Sequence, residues 1–181
     1  MAIEIEKKYR LKTGERERLL ARLSQTGAVR EGVEFEENTI YTGGNLDPKR
    51  AVLRVRRVEG KVLLTYKERY TSASAIKHQR EEETRVEDAE ALAAILDALG
   101  FAPALVYEKR RETWALAGAM VVVDELPFGL FAEIEGEEEA IKEAERLLEL
   151  EDAEAEMETY PHLTERYGKR EGTAIEARFE S

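Results

Sequence analysis

Apolar and polar positions alternate at period two through most of this chain, with a helical period in only a few stretches. Residues 2–11 alternate cleanly and predict a strand, with Glu4, Glu6 and Lys8 on one face and Ile3, Ile5 and Tyr9 on the other. Thr13 is placed to cap a helix running to about residues 21–26, with Leu19, Leu20 and Leu23 as its apolar stripe and Gly27 as its stop. Residues 33–42 read as extended, ending in a Gly43-Gly44 loop with Asp47-Pro48. Residues 50–58 and 61–69 are two strands joined at Glu59-Gly60, and residues 76–86 are a further extended segment. Asp88 caps a second helix, Leu92, Ile95, Leu96 and Leu99 form its apolar face, and Gly100 ends it. Strands are expected at 104–114, 119–125 and 129–136, a third helix at 137–150, a short strand near 153–158 and a helix from about Pro161. The last ten residues carry little pattern and are expected to fray. No linker or repeat divides the chain, so one domain over residues 1–170 with a tail at 171–181 is expected.

The polar faces of these strands are ionic. Arg54 and Arg56 share a face, as do Lys109 and Arg111, Glu133 and Glu135, and Arg80, Glu82 and His78. Lys67 follows Thr65, and Asp124 projects opposite Val121 and Val123. An open sheet with helices on one side and solvent on the other gives such alternation. Like charges at i and i+2 repel, however, unless a ligand of opposite sign lies between them. A barrel that is apolar outside and ionic inside explains the whole set.

Composition narrows the chemistry. The 181 residues are 43% hydrophobic and 37% charged, with a formal net charge of −11. That charge argues against nonspecific nucleic-acid binding but leaves room for a local cationic pocket. The chain has no cysteine and only His78 and His162, so any metal would be held by carboxylates, which suit Mg2+ or Mn2+. Arginine and lysine are the natural grips for phosphate oxygens. No Gly-x-x-x-x-Gly-Lys loop and no serine or cysteine nucleophile beside a histidine is found. No apolar run reaches membrane-spanning length and no secretory leader opens the chain, so a cytoplasmic protein with no membrane partner is expected.

Several of these runs occur in a telling order. Glu4-x-Glu6-x-Lys8, Leu53-Arg54-Val55-Arg56, Leu64-Thr65-Tyr66-Lys67, Arg80-x-Glu82, Glu108-Lys109-Arg110-Arg111, Val123-Asp124 and Phe131-Ala132-Glu133-Ile134-Glu135-Gly136 follow one another over about residues 2–167. The pattern resembles the CYTH superfamily, the triphosphate tunnel metalloenzymes, which include class IV adenylyl cyclases, thiamine triphosphatases and tripolyphosphatases. The resemblance implies an α+β fold: an eight-stranded antiparallel closed β-barrel, or tunnel, with flanking helices. It implies that Glu4, Glu6, Asp124, Glu133 and Glu135 ligate Mg2+ or Mn2+. It implies that Lys8, Arg54, Arg56, Lys67, Arg80, Lys109 and Arg111 hold a triphosphate. Glu82 is a weaker candidate, as an ion-pair partner of Arg80, and Tyr160 resembles an element near the tunnel mouth. One departure is Thr42 after Tyr41, where the family commonly has aspartate. His78 is expected on the surface or in an ion pair, and Trp114 in the core.

The family runs more than one reaction. Hydrolysis needs an activated water at the terminal phosphate, whereas cyclisation needs a nucleoside pocket and an in-line ribose hydroxyl. Nothing in the chain reads an adenine, and the Glu133-x-Glu135 pair is complete, whereas class IV cyclases often lose the second acid. The expected function is hydrolysis of inorganic tripolyphosphate, or of ATP or thiamine triphosphate as lesser substrates, with Lys8 and Glu135 in catalytic roles. The alternatives are a class IV cyclase and a non-catalytic polyphosphate-binding module. The sequence is compatible with a homodimer and demands none.

Overall fold

The computed structural model describes residues 2–70 and 76–180; the side chains of Ala2, Ile3, Glu4 and Lys77 lie outside the description. The first strand, β1 (Ala2–Leu11), leads into α1 (Glu15–Gln25) and the long β2 (Val29–Gly43). Strands β3 (Ala51–Val58), β4 (Lys61–Arg69) and β5 (Lys77–Val86) follow, then α2 (Ala89–Ala98). β6 (Phe101–Leu116), β7 (Ala119–Leu126), β8 (Gly129–Glu135) and α3 (Glu138–Leu148) come next. The chain finishes with α4 (Tyr160–Tyr167), β9 (Lys169–Glu171) and β10 (Ala174–Ala177).

Strand order is β2-β3-β4-β5-β1-β8-β7-β6, and β6 pairs back onto β2, so eight antiparallel strands close a barrel. Closure gives the sheet one enclosed face, so alternate residues of every strand can point into a shared interior. The longest pairing, β2 with β6, runs from Val29↔Ala115 to Gly43↔Phe101. Its far end is tight: Gly43 has φ 125°, and a Cβ there would lie 2.0 Å from the Gly100 carbonyl oxygen, so only glycine is tolerated.

Two apolar layers sit outside the barrel. Tyr9, Val121, Val123, Ala132 and Ile134 project outward and are covered by Leu19 and Leu23 of α1 and Ile141, Ala144 and Leu148 of α3. On the opposite wall Tyr41, Val55 and Leu53 are covered by Leu92 and Leu96 of α2. Burial of these faces drives closure at roughly 25 cal/mol per Å² of apolar surface. Cutting the fully buried Ile141 back to alanine would cost about 2–5 kcal/mol. α4 instead packs at one end of the interior, where Tyr160 and Leu163 meet Tyr107, Leu126 and Phe131.

Some expected boundaries move. α1 begins after Gly14, in the left-handed region, with no side-chain cap; Glu15 accepts from the Lys12 amide instead of Thr13 capping the turn. Asp88 does cap α2, accepting from the Ala91 amide. No strand forms at 153–158; that segment makes one bridge, Tyr9↔Ala155, and the Glu156 amide donates to the Lys8 carbonyl. The C-terminal residues do not fray as expected. β10 pairs in parallel with Leu105–Tyr107 of β6, on the edge that β7, paired from Arg110 onward, leaves open. Arg178 then ion-pairs with Glu37, Glu108 and Glu176. The hairpin is held by charges on three strands, which its local sequence does not announce. Among the described residues no helix is long and apolar enough to cross a membrane.

Candidate active site

Alternate residues of successive strands converge inside the barrel on a cavity of about 270 Å³. Glu6, Lys8, Arg54, Arg56, Lys67, Lys109, Arg111, Glu133, Glu135 and Tyr160 all line it. Period-two alternation and antiparallel register explain how. Glu6 lies directly opposite Glu135 and Lys8 opposite Glu133 across β1 and β8, and opposed residues project to the same face. Arg54 faces Thr65 across β3 and β4, and Lys67 faces Glu81 across β4 and β5.

The strands differ in the charges they supply. β3 and β4 contribute the cations Arg54, Arg56, Lys67 and Arg69, whereas β1 and β8 contribute Glu6, Glu133 and Glu135 together with Lys8. β6 crosses between β2 and β7 and adds Lys109 and Arg111. Arg111 is gripped from two strands, donating to Asp124 at 2.8 and 2.6 Å and to Glu133 at 2.7 Å. Lys109 Nζ lies 3.2 Å from Glu36 and 3.6 Å from Asp124. Burial and the neighbouring Arg111 charge lower the Lys109 pKa, while Asp124, Glu36 and Glu133 oppose them. The Tyr160 hydroxyl donates to Asp124 at 2.8 Å, and Lys8 Nζ stands 4.3 Å above the Tyr160 ring. Burial, Asp124 and Glu133 together raise the Tyr160 pKa well above that of a free phenol, so its hydroxyl stays a hydrogen-bond donor.

Two arginines of the lining each keep one unbonded donor among the described residues. The Nε groups of Arg54 and Arg56 are buried and unbonded among the described residues. Buried guanidinium N–H groups are costly to leave unmade; the Nη2 groups of the same arginines donate to Thr65 at 3.3 Å and to Glu83 at 2.8 Å.

The remaining expected residues fall elsewhere. Asp124 is fully buried beneath the lining, with both oxygens engaged by Arg111 and one also by Tyr160. The Glu4 side chain lies outside the described residues, although its backbone pairs with Gln79. Arg80 does not reach the cavity: it points outward, where it pairs with Glu82 at 3.2 Å, as expected of Glu82, and lies over the Tyr66 ring. The inward phase of β5 is Gln79 and Glu81, which line the cavity, and Glu83, which bonds Arg56 at 2.8 Å. The run Gln79-Arg80-Glu81-Glu82-Glu83 is polar in both phases, so alternation alone cannot orient it. The β1 register orients it, since Gln79 opposes Glu4. His78, in the outward phase, lies 3.3 Å from Glu138, and Trp114 is core.

Sequence reasoning missed Glu36, Arg69 and Glu81. Glu36 is 1% exposed. The alternation Val33-Glu34-Phe35-Glu36 was a usable signal, obscured by the adjacent Glu37. Arg69 follows Lys67 at i+2 and was legible from the same alternation.

The family model for the CYTH domain matches residues 2–164. The chain belongs to the CYTH domain family. Solved structures share the fold. The PH1012 protein of Pyrococcus horikoshii OT3 is 27% identical, with a TM-score of 0.78 over 88% of this chain and 98% of that one. A conserved hypothetical protein of Pyrococcus furiosus is 26% identical, with a TM-score of 0.76 over 88% and 99%. HpAC1 of Hippeastrum, described as a putative adenylyl cyclase with a dominant triphosphatase activity, is 19% identical, with a TM-score of 0.67 over 96% and 99%. No curated protein sequence matches significantly. The CYTH barrel here thus rests on its family pattern and its own geometry.

Proposed function

We propose that this chain is a divalent-metal-dependent triphosphatase that hydrolyses inorganic tripolyphosphate or another small molecule bearing a triphosphate. One observation carries the reading: Glu6, Glu133 and Glu135 line the same cavity as Arg54, Arg56, Lys67, Lys109 and Arg111, so a cation and an anion can be held together there. The reported triphosphatase activity of HpAC1 supports the same direction.

The donor set fits a hard cation. Glu6 and Glu135 lie directly opposite each other across β1 and β8, and both line the cavity, so their carboxylates are placed as hard oxygen ligands. Among the described residues no group of three or more such donors converges as a finished metal cage. Mg2+ commonly takes only one or two carboxylates and completes its shell with water and substrate phosphate oxygens. Glu6 and Glu135 would hold the ion, with Glu133 beside them. A bound Mg2+ or Mn2+ would neutralise phosphate charge and make a water acidic enough to attack. The chain's own residues do the rest. Arg54, Arg56 and Lys67 orient the phosphate chain, Lys8 stands at the bridging phosphate, and Glu135 orients the water. The Tyr160 ring lines the cavity beneath Lys8. Residues 1–170 act as one catalytic domain in this reading.

The decisive assay is phosphate release from tripolyphosphate with Mg2+ or Mn2+, with ATP and thiamine triphosphate in parallel. Release of orthophosphate supports the proposal. Cyclic AMP and pyrophosphate from ATP would replace it with a cyclase. Metal-dependent binding without turnover would replace it with a polyphosphate-binding module. The aromatic side chains lining the cavity, Tyr107 and Tyr160, are buried in its wall, which disfavours a nucleobase platform.

A further inference from the structure

Three acids that do not belong to the expected metal set face the cations of the tunnel. Glu81 pairs with Lys67 at 2.9 Å, Glu83 with Arg56 at 2.8 Å, and Glu36 lies among three cations at once. Glu36 is the distinctive one. β2 register sets it opposite Lys109. Its carboxylate lies 3.2 Å from Lys109, 3.6 Å from Arg56 and 4.0 Å from Arg111, and accepts from Asn38 at 3.1 Å. It is 1% exposed, against 31% for Glu83. It does not line the cavity; it stands behind the cations that do.

We infer that Glu36 is a built-in counter-anion: it neutralises Lys109, Arg56 and Arg111 in the ligand-free tunnel and thereby limits how tightly the tunnel holds polyphosphate. This rests on the proposed triphosphate-binding reading. The physical reason is competition. Three cations within 4.0 Å of one buried carboxylate, Lys109 buried and Arg56 and Arg111 half-buried, already have part of their charge satisfied in a low-dielectric setting. An incoming phosphate gains less from them than it would if they stood alone. An enzyme that must release pyrophosphate or orthophosphate benefits, because uniform tight binding of substrate and product does not raise turnover. Glu36 is therefore a positioning residue and touches no reacting atom. Burial alone would raise its pKa, but Lys109, Arg111 and Arg56 together hold its carboxyl well below the usual carboxylate range, so it remains a fixed negative charge.

The test is calorimetric binding of inorganic tripolyphosphate and of pyrophosphate, with and without Mg2+, to the full chain and to E36Q, E36D and E83Q, alongside steady-state phosphate release. Glu36→Gln keeps shape and removes charge. Expected are about 10-fold tighter binding of both ligands, a steeper salt dependence, and a fall in both KM and kcat. Glu36→Asp retracts the carboxylate by one methylene, and about 2–3-fold tightening is expected. Glu83→Gln should tighten binding less, because solvent already screens that partner. Damage to the barrel alone would weaken binding, the opposite sign. Unchanged or weaker binding by E36Q overturns the inference; if E36Q does not fold, unchanged or weaker binding by E36D overturns it. A wild-type chain that binds no tripolyphosphate in any condition sinks the triphosphate reading itself and this inference with it.

Discussion

Two buried carboxylates in this protein have the same kinds of partner, a cation and a tyrosine, and different meanings. Glu145, on α3, receives both the Lys7 ammonium and the Tyr9 hydroxyl on one oxygen. Asp124, on β7, receives the Arg111 guanidinium and the Tyr160 hydroxyl. Glu145 lies outside the barrel, beside the apolar layer of Ile141, Ala144 and Leu148. Its pairs tie α3 to β1, and burial together with Glu145 raises the Tyr9 pKa far above the ordinary range. Asp124 lies beneath a cavity whose walls carry further acids and further cations. A cation, an acid and a tyrosine make a structural tie when they satisfy one another fully. They become part of a site when the surrounding field leaves charge unspent. Composition cannot tell the two apart; the neighbours do.

The largest effect should come from the acids of the lining. Glu135→Gln or Glu6→Gln is expected to lower metal-dependent phosphate release by at least ~10²-fold, with the fold kept by circular dichroism. Unchanged turnover would remove these acids from the site. Next, Asp124→Asn leaves Arg111 and Lys109 buried with less compensating charge and should cost about 3–5 kcal/mol in urea unfolding. Saturating tripolyphosphate should restore part of that loss, because the anion replaces the missing charge. No restoration would make Asp124 a purely structural tie like Glu145.

Acid should expose the same cluster. Glu36 has a folded-state pKa depressed below its unfolded value. Its stabilisation is therefore present above the unfolded carboxyl pKa of about 4.3 and lost as pH falls toward the folded value. Unfolding free energy below about pH 4 should fall more steeply in wild type than in E36Q; parallel curves would contradict the pairing. Glu145→Gln should cost about 1–3 kcal/mol, leave turnover near wild type and show no additional rescue by tripolyphosphate. The smallest effect should be Arg80→Ala, within about 0.5 kcal/mol, with phosphate release retained. A loss of turnover in that variant would show that the outward phase of β5 matters after all.

Much of the barrel was legible in the chain, for reasons tied to particular residues. Strands with one apolar phase and one ionic phase orient themselves: Leu53 and Val55 had to face α2, which turned Arg54 and Arg56 inward. Where both phases are polar, as at Gln79 to Glu83, the chain is ambiguous by one residue, and only pairing with β1 resolves it. Glu36 was hidden for a related reason, since an acid beside Glu37 looks like a solvated run until β6 places Lys109 across from it. The C-terminal hairpin was unreadable because its partners, Glu37 and Glu108, lie far back in the chain.

The amino-acid sequence by itself determined the strand-rich α+β class, the family and the stock of acids and cations for the interior, because side-chain alternation is a local property of an extended backbone. Tertiary structure decided which phase of β5 faces in, that Asp124 and Glu36 stand behind the lining, and that residues 169–177 pair into the sheet. Those outcomes depend on register between strands distant in the chain, and register is set by burial and pairing across the closed barrel, which no single segment encodes.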